Sequence, residues 1–338
     1  MLRVGINGFG RIGRNFFRAV MDRDDIEIVA INDLANSDIR IHLLQFDSLR
    51  GRLPGSVTLQ NNKLMFRDKS IHMFTESSPA AIPWDEANVD IVLESTGKLM
   101  DKSYGHLKSG ARQVVISCPA YDIDGVDGMF VMGINEDLFD PKIHSVISNA
   151  SCTVNCFGLM VKVLDDAFGV QSGLITNVHS VSRQQGTQDA DHKDFRMARA
   201  AGFNMVPQHP GATNAFAEVM PKFAGKLLDY TVRVPVPIGS MNDMSVVLNH
   251  PATVEEVNDA MKQGANSKRL RDYLQYVEDP IVSTDIISDK ASCIFDAGLT
   301  QAMGTHIRVV GWHDNEWGYS NRLADLIAYV GEKTKLNA

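Results

Sequence analysis

Short apolar runs broken by glycine and polar residues set the rhythm of the first 150 positions. LRVGIN (2–7), IEIVAI (26–31), VDIVLE (89–94), QVVIS (113–117) and HSVIS (144–148) are too continuously apolar for amphipathic helices, and they predict buried strands. Between the first two, GRIGRNFFRAVMDRD spaces Ile12, Phe16 and Val20 at four-residue intervals, which predicts a helix. Farther along, CFGLMVKVLDDAFG (156–169) has the apolar spacing of a helix, and LITNVHS (174–180) reads as a strand that carries His179 near its end.

The turn joining the first strand to its helix spells G-x-G-x-x-G through Gly8, Gly10 and Gly13, with Arg11 and Ile12 inside it. Glycines let a backbone approach a pyrophosphate, and the helix start supplies N–H groups and a favourable dipole end. A tight structural turn would read similarly, but the second strand ends in Asp33, twenty residues after Gly13, where a carboxylate can accept from ribose hydroxyls. The pair predicts a dinucleotide site. An acidic residue there repels a 2′-phosphate, which favours NAD over NADP. Ser95, Thr96 and Gly97 follow a later strand and are candidates to border the cofactor, with helix capping as the plainer use.

At 338 residues the chain exceeds the usual size of one core, so two domains are expected. No window approaches the eighteen or so apolar residues of a membrane span. The N-terminus enters LRVGING without a basic segment, apolar core and cleavage site, which predicts a cytoplasmic protein. A formal charge of −8 argues against a dedicated nucleic-acid binder. Cys118, Cys152, Cys156 and Cys293 are too few and scattered for a disulfide framework.

SNASCTVNC (148–156) places Cys152 at a strand-to-helix junction, where a helix start lowers a thiol's pKa. A metal clip would need further Cys or His ligands close by, and none occurs in the next twenty residues, so no metal site is expected. A disulfide to Cys156 within one helical turn would be strained. One thiolate nucleophile beside one packed thiol remains, with His179 as the candidate base; burial of an ordinary cysteine and a structural histidine is the plainer alternative.

INGFGRIGR, SNASCTVNC, RVPVP and WHDNEWGYSNR together resemble the phosphorylating glyceraldehyde-3-phosphate dehydrogenase family, over nearly the whole chain. The resemblance implies an α/β plus α+β architecture. A doubly wound Rossmann NAD-binding domain would span 1–150, a catalytic domain on a mixed or antiparallel sheet 151–314, and a C-terminal segment, 315–338, would return as a helix to the first domain. It further implies NAD as cofactor, a phosphorylated aldehyde and orthophosphate as small-molecule partners, and a homotetramer. Cys152 would attack the aldehyde and His179 would take the proton. Asn315 would orient the nicotinamide carboxamide and Tyr319 would pack near its ring. Arg233, Ser151, Thr153, Ser182 and Gly211 would serve substrate and phosphate.

Two loops depart from the family pattern. Where S-S-T-G-A-A-K is typical, QHPGATN stands, with Pro210 at the threonine and Asn214 at the lysine. Where H-A-Y-T-A-T-Q is typical, HSVSRQQ stands, with Ser182 for the first threonine and Gln184 for the second, while Arg183 and His209 are new donors. These changes bear on substrate recognition and leave the redox residues in place. They admit an alternative that oxidises erythrose 4-phosphate or a similar sugar aldehyde with water resolving the thioester, and a non-catalytic NAD- or RNA-binding paralogue.

Overall fold

The computed structural model describes residues 1–121, 123–183, 185–208 and 211–336, so Gln184, His209 and Pro210 of the altered loops lie outside the described residues. The chain divides into two compact units, Met1–Phe130 with Glu136–Ala150 and Ser320–Ala338, and Val131–Asn135 with Ser151–Tyr319. No described helix is long and apolar enough to cross a membrane.

In the first unit the apolar runs form the predicted strands. β1 (Leu2–Asn7) leads into α1 (Arg11–Val20) and β2 (Ile26–Asn32). An antiparallel flank follows, β3 (Val57–Gln60), β4 (Lys63–Phe66) and β5 (Lys69–Phe74). Then come β6 (Ile91–Glu94), β7 (Gln113–Ile116), β8 (Gly128–Met129) and β9 (Val146–Ser148). Among the described residues they make one sheet ordered β8-β9-β7-β6-β1-β2-β5-β4-β3, parallel from β8 to β5. β6 and β7 are buried at every position, which is why their sequences show no alternation.

A buried polar chain ties the strand ends of this sheet together. Asn32 Nδ2 donates to Asn7 Oδ1 at 2.7 Å, and Asn7 Nδ2 donates to Glu94 Oε2 at 2.5 Å. Trp84 Nε1 donates to His106 Nδ1 at 2.9 Å, which leaves the His106 proton on Nε2, 3.1 Å from Glu94 Oε2. Thr96 N donates to the other Glu94 oxygen at 2.8 Å. Glu94 and His106 are buried, and each polar group in the chain meets a complement.

The second unit is built on another sheet. α2 (Cys152–Phe168) precedes β10 (Val170–His179), β11 (Val206–Gln208), α3 (Ala212–Val219), β12 (Leu227–Arg233) and β13 (Ser240–Leu248). α4 (Val254–Asn266), β14 (Leu274–Val277), β15 (Cys293–Asp296), β16 (Gln301–Met303) and β17 (His306–His313) complete it. The strand order is β11-β12-β10-β13-β17-β15-β14, with β16 paired to β17; β10–β12 and β14–β15 are parallel and the other pairs antiparallel, so the sheet is mixed. α2 lays Val154, Phe157, Met160 and Val161 into the core and packs on β10, β13, β15 and β17. α5 (Trp317–Lys333) starts in this unit, and its residues from Ser320 onward belong to the first.

Candidate functional site

Strand register sets a row of side chains at one end of the second sheet. His179 closes β10 opposite Arg233 of β12, and Ser240 opens β13 opposite His313, the last residue of β17. The Ser180 N–H donates to Ser240 Oγ at 3.2 Å, which ties the two halves of the row. Above it begins α2. Ser151 is its N-cap, accepting from Val154 N at 3.1 Å, and Cys152 is the first helical residue. Packing α2 across the strands that carry the row is what brings Cys152 to His179 and His313.

Cys152 Sγ lies 3.7 Å from His179 Nε2. His179 Nδ1 has the Ser180 carbonyl at 2.8 Å and Arg233 Nη1 at 2.5 Å, and no single tautomer bonds both. With the proton on Nδ1, His179 donates to the Ser180 carbonyl and turns its Nε2 lone pair to the sulfur; with the proton on Nε2, Nδ1 accepts from Arg233 Nη1 and Nε2–H faces the sulfur. His313 sets its ring at 80° to that of His179, centroids 6.3 Å apart. It is 1% exposed, and among the described residues neither ring nitrogen has a partner in hydrogen-bonding geometry.

The charges sort themselves accordingly. Burial opposes ionisation of the Cys152 thiol, yet contacts with His179 and His313 hold its pKa well below the usual thiol value. Burial lowers the His179 pKa, and the Arg233 and His313 charges push the same way against the thiolate's pull. For His313, burial is overcome by the Cys156 and Cys152 sulfurs, and its pKa rises to about 10. The thiolate is therefore balanced by His179 and His313 together, with His179 the larger contributor, while burial keeps the His179 pKa below its usual value. His313 escaped the sequence reading. Its signal was its place in WHDNEWGY, two residues before Asn315, but only the β13–β17 register shows that this position points at the thiol. The same register sets Cys152, His179 and His313 close together, which linear spacing around Cys152 does not show.

Thr153 Oγ1 accepts from Asn177 Nδ2 at 3.0 Å, and Ser151 Oγ accepts at the helix start; each hydroxyl keeps its own proton to donate. Arg233 Nε donates to Gln208 Oε1 at 2.9 Å. Ser182 N donates to Gln185 Oε1 at 3.2 Å, and among the described residues its hydroxyl has no partner. The Gly211 N–H donates to Asp229 Oδ2 at 3.1 Å, and the same carboxylate takes the N–H groups of Ala212 and Thr213. A carboxylate of the chain itself thus occupies the start of α3, where the sequence pointed to a phosphate. Asn315 Oδ1 accepts from Ser180 Oγ (2.9 Å), Gly239 N (3.2 Å) and Ser240 Oγ (3.2 Å), so its amide NH₂ is turned away from these donors. Tyr319 is buried in the first turn of α5.

In the first unit the glycine loop has the shape a pyrophosphate requires. Gly8 has φ +94°, and a Cβ there would stand 2.7 Å from Thr96 N; a Cβ on Gly13 would stand 2.3 Å from Gly8 O. Gly10 is the N-cap of α1 and supplies no capping side chain. Arg11, just inside, pairs with Asp47 at 2.5 Å, and Ile12 is half-buried. Asp33, expected to accept from ribose hydroxyls, accepts from Phe9 N at 2.6 Å and from Ala35 N at 2.8 Å and pairs with Arg40 at 2.9 Å, so it also braces the glycine loop. Ser95 Oγ donates to Gly8 O at 2.7 Å, holding the loop from β6, and Gly97 follows with φ +68°. These residues fit an NAD pyrophosphate: the cradle is one that any side chain would fill.

Comparison with known proteins agrees with this construction. Residues 2–102 match the family description "Glyceraldehyde 3-phosphate dehydrogenase, NAD binding domain", and residues 151–315 match "Glyceraldehyde 3-phosphate dehydrogenase, C-terminal domain". The chain is 49% identical over 334 residues to glyceraldehyde-3-phosphate dehydrogenase 1 of Streptomyces avermitilis, covering 98% of this chain and 99% of the relative. It is 47% identical over 342 residues to glyceraldehyde-3-phosphate dehydrogenase of Mycobacterium avium, with coverage of 98% and 99%. With a phosphate cradle in one unit, an activated thiol in the other and relatives of this identity along nearly its whole length, the chain belongs to the glyceraldehyde-3-phosphate dehydrogenase family, with NAD as its cofactor.

Proposed function

We propose that the chain oxidises glyceraldehyde 3-phosphate to 1,3-bisphosphoglycerate through a thioester on Cys152. The observation that carries this reading is the Cys152 Sγ to His179 Nε2 approach of 3.7 Å, with a thiol pKa held low and an imidazole held neutral. The Cys152 thiolate attacks the aldehyde carbon, and the Cys152 backbone N–H at the helix start stabilises the oxygen that becomes negative. His179 Nε2 removes the thiohemiacetal hydroxyl proton. When bound, NAD accepts the hydride that leaves the same carbon. Orthophosphate then attacks the thioester carbonyl and the thiolate departs as an acyl phosphate forms, so the energy of oxidation is conserved.

Arg233, with its Nη2 uncommitted among the described residues, is assigned to the substrate phosphate, and Ser151 and Thr153 to the attacking phosphate. Ser182 offers a hydroxyl that has no partner among the described residues. Asn315, its oxygen saturated by three donors, presents its NH₂ to the nicotinamide carboxamide, and Tyr319 packs near that ring. Gly8, Gly10, Arg11, Ile12 and Gly13 hold the pyrophosphate, Asp33 the ribose, and Ser95, Thr96 and Gly97 the border. A homotetramer is supported by Leu174, Leu228 and Met303, exposed at 61%, 64% and 75% on one face of the second sheet. The proposed setting is the cytoplasm.

The test is NADH formation from glyceraldehyde 3-phosphate with and without orthophosphate, with erythrose 4-phosphate in parallel. Phosphate-dependent turnover of the triose is expected. One observation favours the second reading: Asp229 holds the Gly211 and Ala212 amides, removing two donors from phosphate. Turnover that ignores orthophosphate, or a higher kcat/KM for the tetrose, would establish that alternative.

A further inference from the structure

We propose that Cys152, His179 and His313 form a three-ligand site for a thiophilic divalent cation of the Zn²⁺ class, whose occupancy shuts the nucleophile off. One ligand atom from each of the three lies within 4.8 Å of the other two, with Cys152 Sγ and His179 Nε2 at 3.7 Å. Tetrahedral Zn²⁺, with Zn–S near 2.3 Å and Zn–N near 2.0–2.1 Å, sets the S···N edge at about 3.6 Å and the N···N edge at about 3.4 Å. One edge already has that length, and closing the others needs shifts of about an ångström, within reach of side-chain torsions.

His313 is the independent pointer to a ligand. A buried imidazole normally bonds through at least one nitrogen; among the described residues this one, 1% exposed, has no partner in hydrogen-bonding geometry, and its interactions are with the Cys152 and Cys156 sulfurs. His179 can take the support that metal-bound histidines use: in the tautomer with its proton on Nδ1 it donates to the Ser180 carbonyl at 2.8 Å and aims the Nε2 lone pair at the common point. The rings stand at 80°, so neither covers the other's nitrogens. Cys152 is partly exposed, which leaves an entry path and a fourth position for water. One sulfur and two imidazole nitrogens, without a carboxylate in the cluster, select Zn²⁺, Cd²⁺ or Co²⁺ over Mg²⁺ and Ca²⁺. The ion replaces the ligand protons as it binds. That binding silences the enzyme rests on the proposed function; the binding itself does not.

Metal-free protein titrated with Co²⁺ should develop thiolate-to-metal charge-transfer absorption and the visible bands of a tetrahedral ion at one equivalent, and Zn²⁺ should displace it. Competition with a chromophoric chelator should show Zn²⁺ affinity falling at least 100-fold in H313F and in H313Q, the second variant covering the case in which one fails to fold. In C152S the charge-transfer band should vanish. Absence of that band in the parent protein, or a Zn²⁺ affinity unchanged in both His313 variants, would overturn the site. NADH formation in chelated buffer is measured alongside. Turnover without metal binding discards this proposal and leaves the dehydrogenase reading intact; metal binding without turnover does the reverse.

Discussion

Each unit buries a polar cluster around a histidine, and the two clusters are finished differently. Around His106 the accounts close: Trp84 donates to Nδ1, Nε2–H meets Glu94, and Glu94 also receives Asn7 and Thr96. Around His313 they stay open. Among the described residues neither of its nitrogens, nor Asn177 Oδ1 or Asn242 Oδ1 in the same sheet, has a partner in hydrogen-bonding geometry, and His313 interacts with the Cys152 and Cys156 sulfurs. An unsatisfied buried polar group costs about 1–3 kcal/mol, so a fold does not leave several together without return. The closed cluster fixes the strand ends from which the glycine loop springs. The open one is kept in readiness for groups that arrive from outside.

That contrast can be broken by substitution. The largest effect is expected from Cys152→Ala, which should lower kcat by about 10⁴-fold or more while changing stability by less than about 1 kcal/mol. Initial rates and a denaturant melt measure both, and a large stability loss would mean that Cys152 belongs to the structural class after all. Glu94→Ala should show the opposite profile. It strands the donors of Asn7, His106 and Thr96, so urea unfolding of the first unit should lose about 3 kcal/mol, with the alkylation rate of Cys152 by iodoacetamide unchanged.

Gly8→Ala sharpens the comparison from the cofactor side. A Cβ 2.7 Å from Thr96 N, on a backbone at φ +94°, has to push the loop off β6. NAD affinity measured by titration calorimetry should fall about tenfold or more, equivalent to about 1.4 kcal/mol. The smallest effect expected is a displacement of a pH profile. Burial opposes the Cys152 thiolate and the His179 and His313 contacts outweigh it, so the alkylation rate should reach its plateau at a pH where an ordinary thiol is mostly protonated. His179→Asn should move that midpoint up, because it removes the nearest favourable contact. An unmoved midpoint would assign thiolate stabilisation to His313 and the helix start alone.

The glycine loop and the strands beneath it were largely legible in the sequence because their determinants are local, whereas the closed cluster, which joins Asn7, Trp84, Glu94 and His106 across the chain, was not read there. Gly8 and Gly13 mark a backbone that no other residue can follow, and the unbroken apolar runs of β6 and β7 announce strands buried on both faces. The open cluster was half legible. Cys152 and His179 stood in motifs, but His313 acquires its meaning only when β17 pairs with β13, and the Asp229 contact of Gly211 appears only when β12 is brought to the start of α3. Pairings between residues so distant in the chain leave no periodic trace in the sequence.

α5 has a consequence in time. Its residues from Ser320 belong to the unit that begins at Met1, and Leu2 packs so tightly against it that a Cβ on Gly331 would stand 2.8 Å from Leu2 Cδ2. The ribosome therefore releases the first strand long before the helix that covers it, and the domain translated first is the last to be completed. Nascent chains halted before Ser320 should leave the β1 face open to proteases that the finished chain resists.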